Sequence, residues 1–156
     1  MESFSILFTG FSLTADISKV FSTSAQVSGK VYASDFAKPT ASNMTTAIAS
    51  MKSAYAHAAG RESNYSELGA GSIGGMTLTR GVYKWSTSLT VPGNLVLSGS
   101  ATDVWIFQIG QDLTVSNTTS IQLIGGAISK NVFWQVAGSV TIGANARFEG
   151  ITLAQG

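Results

Sequence analysis

The chain of 156 residues predicts a mostly β protein, a solenoid of stacked coils with one long α-helix packed along one face. The first observation behind this is a repeat of strand-sized pieces. Trp105-Ile106-Phe107-Gln108-Ile109, Leu113-Thr114-Val115 and Ile121-Gln122-Leu123 return in the same order as Val132-Phe133-Trp134-Gln135-Val136, Val140-Thr141-Ile142 and Phe148-Glu149-Gly150. The middle piece also stands earlier in the chain as Leu89-Thr90-Val91, preceded by Tyr83-Lys84-Trp85. Short alternating segments separated by Gly, Ser, Asn or Pro, at a period in the twenties, describe coils too thin to own a core singly. The second observation is a change of period. After Lys38-Pro39-Thr40 the apolar residues Met44, Ile48, Met51, Tyr55 and Ala58 recur at helical spacing.

Taken in order, residues 5 to 14 read as an apolar, strand-like start. Val20 to Ala33 reads as an earlier coil of the same solenoid, because Val27-Ser28-Gly29-Lys30-Val31 places its glycine as Phe148-Glu149-Gly150-Ile151-Thr152 does. A helix is expected over about residues 40–59, with Thr40 or Ser42 as its cap and Gly60 ending it at positive φ. Its single apolar stripe requires a partner surface. Arg61 to Gly75, polar and rich in glycine, reads as a connector to the first full coil.

Alternate strand residues point to opposite faces. With Leu89, Leu113, Val140, Val91, Val115 and Ile142 inside, Thr90, Thr114 and Thr141 form an outward column. Ser88, Asp112 and Ser139 flank it on one side, and Pro92, Ser116 and Gly143 on the other. In-register rungs stand about 4.8 Å apart, so the product is a patch of short, nearly uncharged side chains. The candidate binding residues are Ser88, Thr90, Thr114, Ser116, Ser139 and Thr141. Asp112 and Pro92 interrupt the pattern, and Asp112 either bounds the site or caps a turn. Outward Ile106 and Phe133 are too apolar to face water, so the helix is expected over them and the threonine face is left bare. Trp85, Trp105 and Trp134 fall on inward registers and read as core rather than as sugar-stacking platforms.

Composition narrows the function. The length suits one domain, 1–156, with a sizeable core. Only 11% of residues are charged and the net charge is +1, without any Lys/Arg cluster, which gives no reason to expect nucleic acid or an anionic membrane as partner. Mean hydropathy is positive at +0.25, yet no apolar run approaches the roughly 18 residues of a spanning helix, and the alternating strands are too short for a membrane barrel. Without cysteine there is no disulfide, thiolate metal site or thiol nucleophile. No cofactor or metal is expected. Met1-Glu2 does not begin a signal peptide, so a targeting segment is expected to have been removed. Parallel β-solenoids also serve as polysaccharide hydrolases and lyases, which need paired carboxylates or calcium-binding Asp clusters. Here Asp103, Asp112 and Glu149 belong to different segments, and Glu62 and Glu67 lie in the polar connector. His57, the one histidine, falls on the polar side of the helix. The sequons at Asn43, Asn64 and Asn117 are ordinary in a chain this rich in Ser and Thr.

The stretches Thr9-Gly10-Phe11-Ser12-Leu13, Phe21-Ser22-Thr23-Ser24-Ala25-Gln26-Val27, Thr45-Thr46-Ala47-Ile48 with Ala54-Tyr55, Gly81-Val82-Tyr83-Lys84-Trp85, Trp105-Ile106-Phe107-Gln108-Ile109 and Phe148-Glu149-Gly150 together resemble the microbial ice-binding (antifreeze) proteins. The resemblance covers nearly the whole chain. It implies a right-handed, discontinuous solenoid of triangular cross-section with a helix along one face and an ice-binding second face. It further implies a secreted, non-enzymatic monomer that inhibits ice growth and recrystallisation, with thermal hysteresis as the readout and cold adaptation as the setting. Members of that family usually carry a segment before the part matching Phe8-Thr9-Gly10 and further coils after that matching Leu153-Ala154-Gln155, whereas this chain stops at Gly156, within a coil. The rival readings are an adhesin-like binding module and a polysaccharide-degrading solenoid enzyme.

Overall fold

Parallel pairing begins at Tyr65 and continues almost to the end of the chain, in the computed structural model that describes residues 10–33 and 35–155. The chain comprises β1 (Thr14–Ala15), β2 (Ser22–Ser24), β3 (Val27–Val31), α1 (Thr40–Ala59), β4 (Tyr65–Ser66), β5 (Thr77–Leu78), β6 (Gly81–Trp85) and β7 (Leu89–Val91). These are followed by β8 (Leu95–Ser98), β9 (Trp105–Ile109), β10 (Leu113–Val115), β11 (Ile121–Ile124), β12 (Val132–Val136), β13 (Val140–Ile142) and β14 (Ile151–Ala154). Contacts divide the described residues into two compact units, one up to Ser53 and one from Ala54 onward.

In the second unit successive strands go to three different parallel sheets, ordered β14-β12-β9-β6-β4, β13-β10-β7 and β11-β8-β5. This is the three-sided β-solenoid that the repeat predicts. Its registers match the expected ones: Leu113 lies opposite Leu89 and Val140, Thr114 opposite Thr90 and Thr141, and Phe107 opposite Tyr83 and Trp134. Because like residues stack on like, the interior is made of columns. Leu89 and Leu113, Val91 and Val115, and Trp105 and Val132 are fully buried. An aromatic ladder runs between coils, with Tyr83–Phe107 ring centroids 5.5 Å apart and Phe107–Trp134 4.0 Å apart at 13°. Trp85, Trp105 and Trp134 are core, as their registers require. Each indole N–H still finds an acceptor, in Leu68, Leu78 and Glu149 carbonyls respectively, which removes the cost of burying it.

The segment Arg61–Gly75 is a coil rather than a connector. Tyr65 pairs with Tyr83 and Ser72 bridges Thr90, the same offset in both cases, and Thr77 pairs with Val96. Ile73 is fully buried among the core side chains. A shorter coil closes the same circuit because its glycines turn tightly: Gly69, Gly71 and Gly75 hold φ of 61°, 82° and 78°. At the other end Phe148-Glu149-Gly150 forms no strand. A single bridge, Ser120 to Arg147, continues that sheet, and the chain swings at Gly150 (φ 125°) into β14. Phe148 nonetheless packs on the core, its ring 5.3 Å from Trp134. Ile142, expected inside, is 42% exposed because β13 is the outermost strand of its sheet.

The first unit departs further from expectation. Val20–Ala33 is not a solenoid coil: β1-β2-β3 form an antiparallel sheet. Ser24 lies opposite Val27 with only Ala25 and Gln26 between them, and a loop that short can join antiparallel neighbours alone. The preceding turn is built by Asp16, whose carboxylate accepts the Ser18 N–H at 2.9 Å, with Lys19 at φ 59°. Of the strand-like start, residues 5–9 lie outside the described residues and Gly10–Leu13 is not strand.

Helix α1 has the expected bounds, and Met44, Ile48, Met51 and Tyr55 are half-buried with Ala58 buried, while their helical neighbours from Ser42 on are exposed. Its ends differ from the expected caps. Thr40 Oγ1 donates to the Val20 carbonyl at 2.7 Å and Ser42 Oγ donates to Pro39 O at 2.9 Å, so neither hydroxyl accepts from the first turn. Gly60 is not left-handed and still donates to Ala56 O. The C-terminal carbonyls are instead met by a side chain from the solenoid. Gln108 Nε2, from the outward face of β9, donates to Ala58 O and Arg61 O at 2.8 Å and to Ala59 O at 3.4 Å. The last turn of the helix is thereby fastened to the sheet of Ile106 and Phe133, which are half-buried.

Candidate functional site

Side chains alternate along the solenoid strands, so each sheet has one outward row per register. On the β7-β10-β13 sheet that row is Thr90, Thr114 and Thr141, all exposed and directly opposite one another. The bridge from Ser72 to Thr90 adds a fourth hydroxyl to the column. Ser72 is missed at the sequence offsets that align Leu89 with Leu113 and Leu113 with Val140. The available signal was Ser72-Ile73 against Thr90-Val91, which recurs at a shorter offset.

The flanks are held in place by hydrogen bonds between coils. Ser88 Oγ donates to Gln111 Oε1 and accepts from the Asp112 N–H, both at 3.3 Å. Asp112 Oδ1 accepts the Ser139 N–H at 2.8 Å. Asp112 therefore acts as a clamp between successive coils at the border of the threonine column. On the opposite flank Asn117 Oδ1 accepts the Ala144 N–H at 2.9 Å, just beyond half-buried Ser116. The six candidate residues Ser88, Thr90, Thr114, Ser116, Ser139 and Thr141 thus fall on one sheet face. They are not equivalent. Ser88 is engaged with its neighbours and Thr90 Oγ1 donates to Gly71 O at 3.0 Å, whereas the hydroxyls of Thr114 and Thr141 have no protein partner among the described residues.

Asp103, Glu67 and Glu149 are engaged in local structural contacts. Asp103 pairs with Arg80 at 3.1 Å and accepts the Ser100 N–H. The Ser100 N–H, more than Arg80, holds its pKa below the ordinary aspartate range. Glu67 accepts both the N–H and the hydroxyl of Ser86 at 2.8 Å, which lowers its pKa likewise. Glu149 pairs with Arg147 at 3.2 Å. Downward shifts are the opposite of what a general acid needs at neutral pH. An open cleft of about 400 Å³ is lined by Asn64, Tyr65, Arg80, Gly81, Thr102, Asp103 and Val104. Its charged pair is mutually neutralised, and it lies away from the threonine face. His57 is exposed on the helix. Among the described residues no helix is long and apolar enough to cross a membrane.

Comparison with known proteins identifies the family and the fold. The Ice-binding-like family profile matches residues 2–156. An ice-binding protein of Flavobacterium frigoris is 48% identical over 136 residues, 83% of this chain and 49% of that protein. Ice-binding protein K3-B1 of Typhula ishikariensis is 45% identical over 148 residues, 94% of this chain and 61% of that protein. The crystal structure of an antifreeze-active ice-binding protein from an Arctic yeast superposes with a TM-score of 0.79 at 41% identity, covering 93% of this chain and 63% of that one. The chain therefore spans about half to three fifths of the length of these curated relatives. The family is not one of hydrolases or lyases, which removes the enzyme alternative. With the three-sided solenoid, the registers and the profile match over nearly its entire length in agreement, this chain belongs to the ice-binding-like family.

Proposed function

We propose that this chain binds ice through the outward face of β7, β10 and β13, with Thr90, Thr114 and Thr141 at its centre and Ser88, Ser116 and Ser139 beside them. The observation that carries the reading is the in-register column itself. Rungs about 4.8 Å apart and outward positions roughly 6.6 Å apart along each strand make a two-dimensional grid of short side chains. Such a grid can order water in a repeat of its own, and ice presents a repeating lattice of oxygens. Threonine suits the task. Its methyl limits competing hydration, its hydroxyl anchors a water, and β-branching restricts χ1, so little side-chain entropy is lost on adsorption. Adsorbed molecules then curve the ice front between them, which opposes growth and recrystallisation. The names of the relatives support this reading.

Asp112 and Pro92 interrupt the grid, so the expected thermal hysteresis is moderate; a very large gap contradicts this. The protein is read as a secreted monomer, and a stable dimer in sedimentation would overturn that part. The direct test is thermal hysteresis, ice-crystal morphology and recrystallisation inhibition for wild type and Thr114→Tyr, with folding checked by circular dichroism. Loss of activity in a folded variant supports the face. Unchanged activity sinks the assignment of this face. Labelled wild type that stays in the liquid when an ice hemisphere grows favours the adhesin-like module instead.

A further inference from the structure

The first coil offers a contact that the longer repeats of the later coils do not include. Ser72 is exposed between two buried neighbours, Gly71 and Ile73, and bridges Thr90 in parallel register, with the Ile73 N–H donating to Thr90 O at 3.1 Å. It therefore continues the column Thr90-Thr114-Thr141 by one rung. Its flanks are bare: the positions matching Ser88 and Pro92 are Ala70 and Gly74. The same coil also acts on Thr90. The Gly71 carbonyl accepts a hydrogen bond from the Thr90 hydroxyl at 3.0 Å. Gly71 stands where φ is 82° and where a Cβ would lie 2.8 Å from the Ser88 carbonyl oxygen, so the close approach that presents this carbonyl depends on glycine.

Resting on the ice-binding reading above, we propose that the ice contact extends to Ser72 and that Gly71 O is the group positioning Thr90. Thr90 then offers ice a fixed methyl and an oxygen that can only accept, while Thr114, Thr141 and Ser72 can both donate and accept. The column is chemically graded from a locked rung to free ones, and its donors are unevenly spaced along it. Water ordered by this face must match that sequence of donors, which makes Thr90 and Ser72 determinants of the ice plane selected.

The test measures thermal hysteresis and fluorescent ice-plane affinity on the chain, with folding checked by circular dichroism and melting. The variants are Ser72→Tyr, Thr114→Tyr, Thr90→Val, Thr114→Val and, as a control on another sheet, Thr77→Tyr. The expected result is a several-fold fall in hysteresis for Ser72→Tyr and Thr114→Tyr, and none for Thr77→Tyr. Thr90→Val, which keeps the methyl and removes a hydroxyl whose proton is already engaged, should retain more activity than Thr114→Val. Activity unchanged in Ser72→Tyr while Thr114→Tyr loses it overturns the fourth contact and leaves the ice-binding face standing. Equal losses in the two valine variants overturn the positioning role of Gly71. If Thr114→Tyr also keeps full activity, the face itself is wrong and this inference falls with it.

Discussion

Replacing Gln108 by Leu tests how the helix is tied to the solenoid. The side chain is 4% exposed, and its amide makes two contacts of 2.8 Å and one of 3.4 Å to the carbonyls of Ala58, Arg61 and Ala59. Leucine keeps most of the volume, so a packing cavity is not the issue. What remains is a helix end whose final carbonyls have lost the amide, with Ala58 O keeping only the long 3.4 Å contact from the Arg61 N–H. An unsatisfied buried acceptor costs about 1–3 kcal/mol, and the Arg61 carbonyl, on a residue that is itself exposed, can recover water. For a chain of this size each kcal/mol shifts Tm by roughly 2–4 °C, so Gln108→Leu is expected to lower Tm by about 2–12 °C. Thermal circular dichroism reads this directly. Hysteresis measured close to the freezing point should be retained, because Gln108 faces away from the threonine column. A drop in Tm of less than about 1 °C would refute the claim that this amide, rather than a residue local to the helix, satisfies its C-terminus.

Three further outcomes are expected. Gly110→Ala would place a Cβ 2.5 Å from Ser86 O and 2.9 Å from Ser86 C, both backbone atoms, and should destabilise by about 1–3 kcal/mol or more. Gly93→Ala, whose nearest neighbour would be 3.9 Å away, should be nearly neutral when the two variants are compared by urea titration; equal effects would contradict the coil spacing. Trp134→Ala removes a fully buried indole stacked 4.0 Å from Phe107 and should cost about 3–5 kcal/mol, a large part of a typical total of about 5–15 kcal/mol, so a Tm within a few degrees of wild type would refute its core role. Asp103 and Glu67 have folded pKa values below their unfolded values of 3.8 and 4.5. Their stabilisation is therefore complete above those values and is lost as pH falls through the lower folded ones. Tm should be level down to about pH 5 and decline below about pH 4; a Tm that rises on acidification contradicts the assignment.

Much of this was legible from the chain alone. The recurrence of Leu89-Thr90-Val91 as Leu113-Thr114-Val115 and Val140-Thr141-Ile142 set the pairings of β7, β10 and β13, and that of Tyr83-Lys84-Trp85 and Trp105–Ile109 up to Val132–Val136 set those of β6, β9 and β12, whereas the pairing of β8 with β11 was not read. The inward residues Leu89, Leu113, Phe107 and Trp134 followed from alternation without reference to any contact. The stripe Met44, Ile48, Met51, Tyr55 and Ala58 marked the helix. Errors clustered where the period changed. The first coil is shorter than the later ones and rich in glycine, so it read as a linker. Phe148-Glu149-Gly150 kept the repeat in sequence but had Gly150 at positive φ, where the strand could not continue. Val27-Ser28-Gly29 carried a plausible coil pattern, but the short turn at Ala25-Gln26 before it forced antiparallel pairing.

By itself, then, the sequence determined coil size, facing and the helix, because period and alternation are properties of the local chain and a slip of one residue would expose a whole buried row. The tertiary structure decided what depends on distant partners. Gln108 and the carbonyl of Ala58 are 50 residues apart, Asp112 and Ser139 are 27 apart, and Thr90 and Gly71 are 19 apart. No propensity distinguishes a glutamine that caps a helix from one that faces water, or a threonine hydroxyl that is free from one already bonded. That difference exists once the coils are stacked, because stacking brings the acceptor within reach.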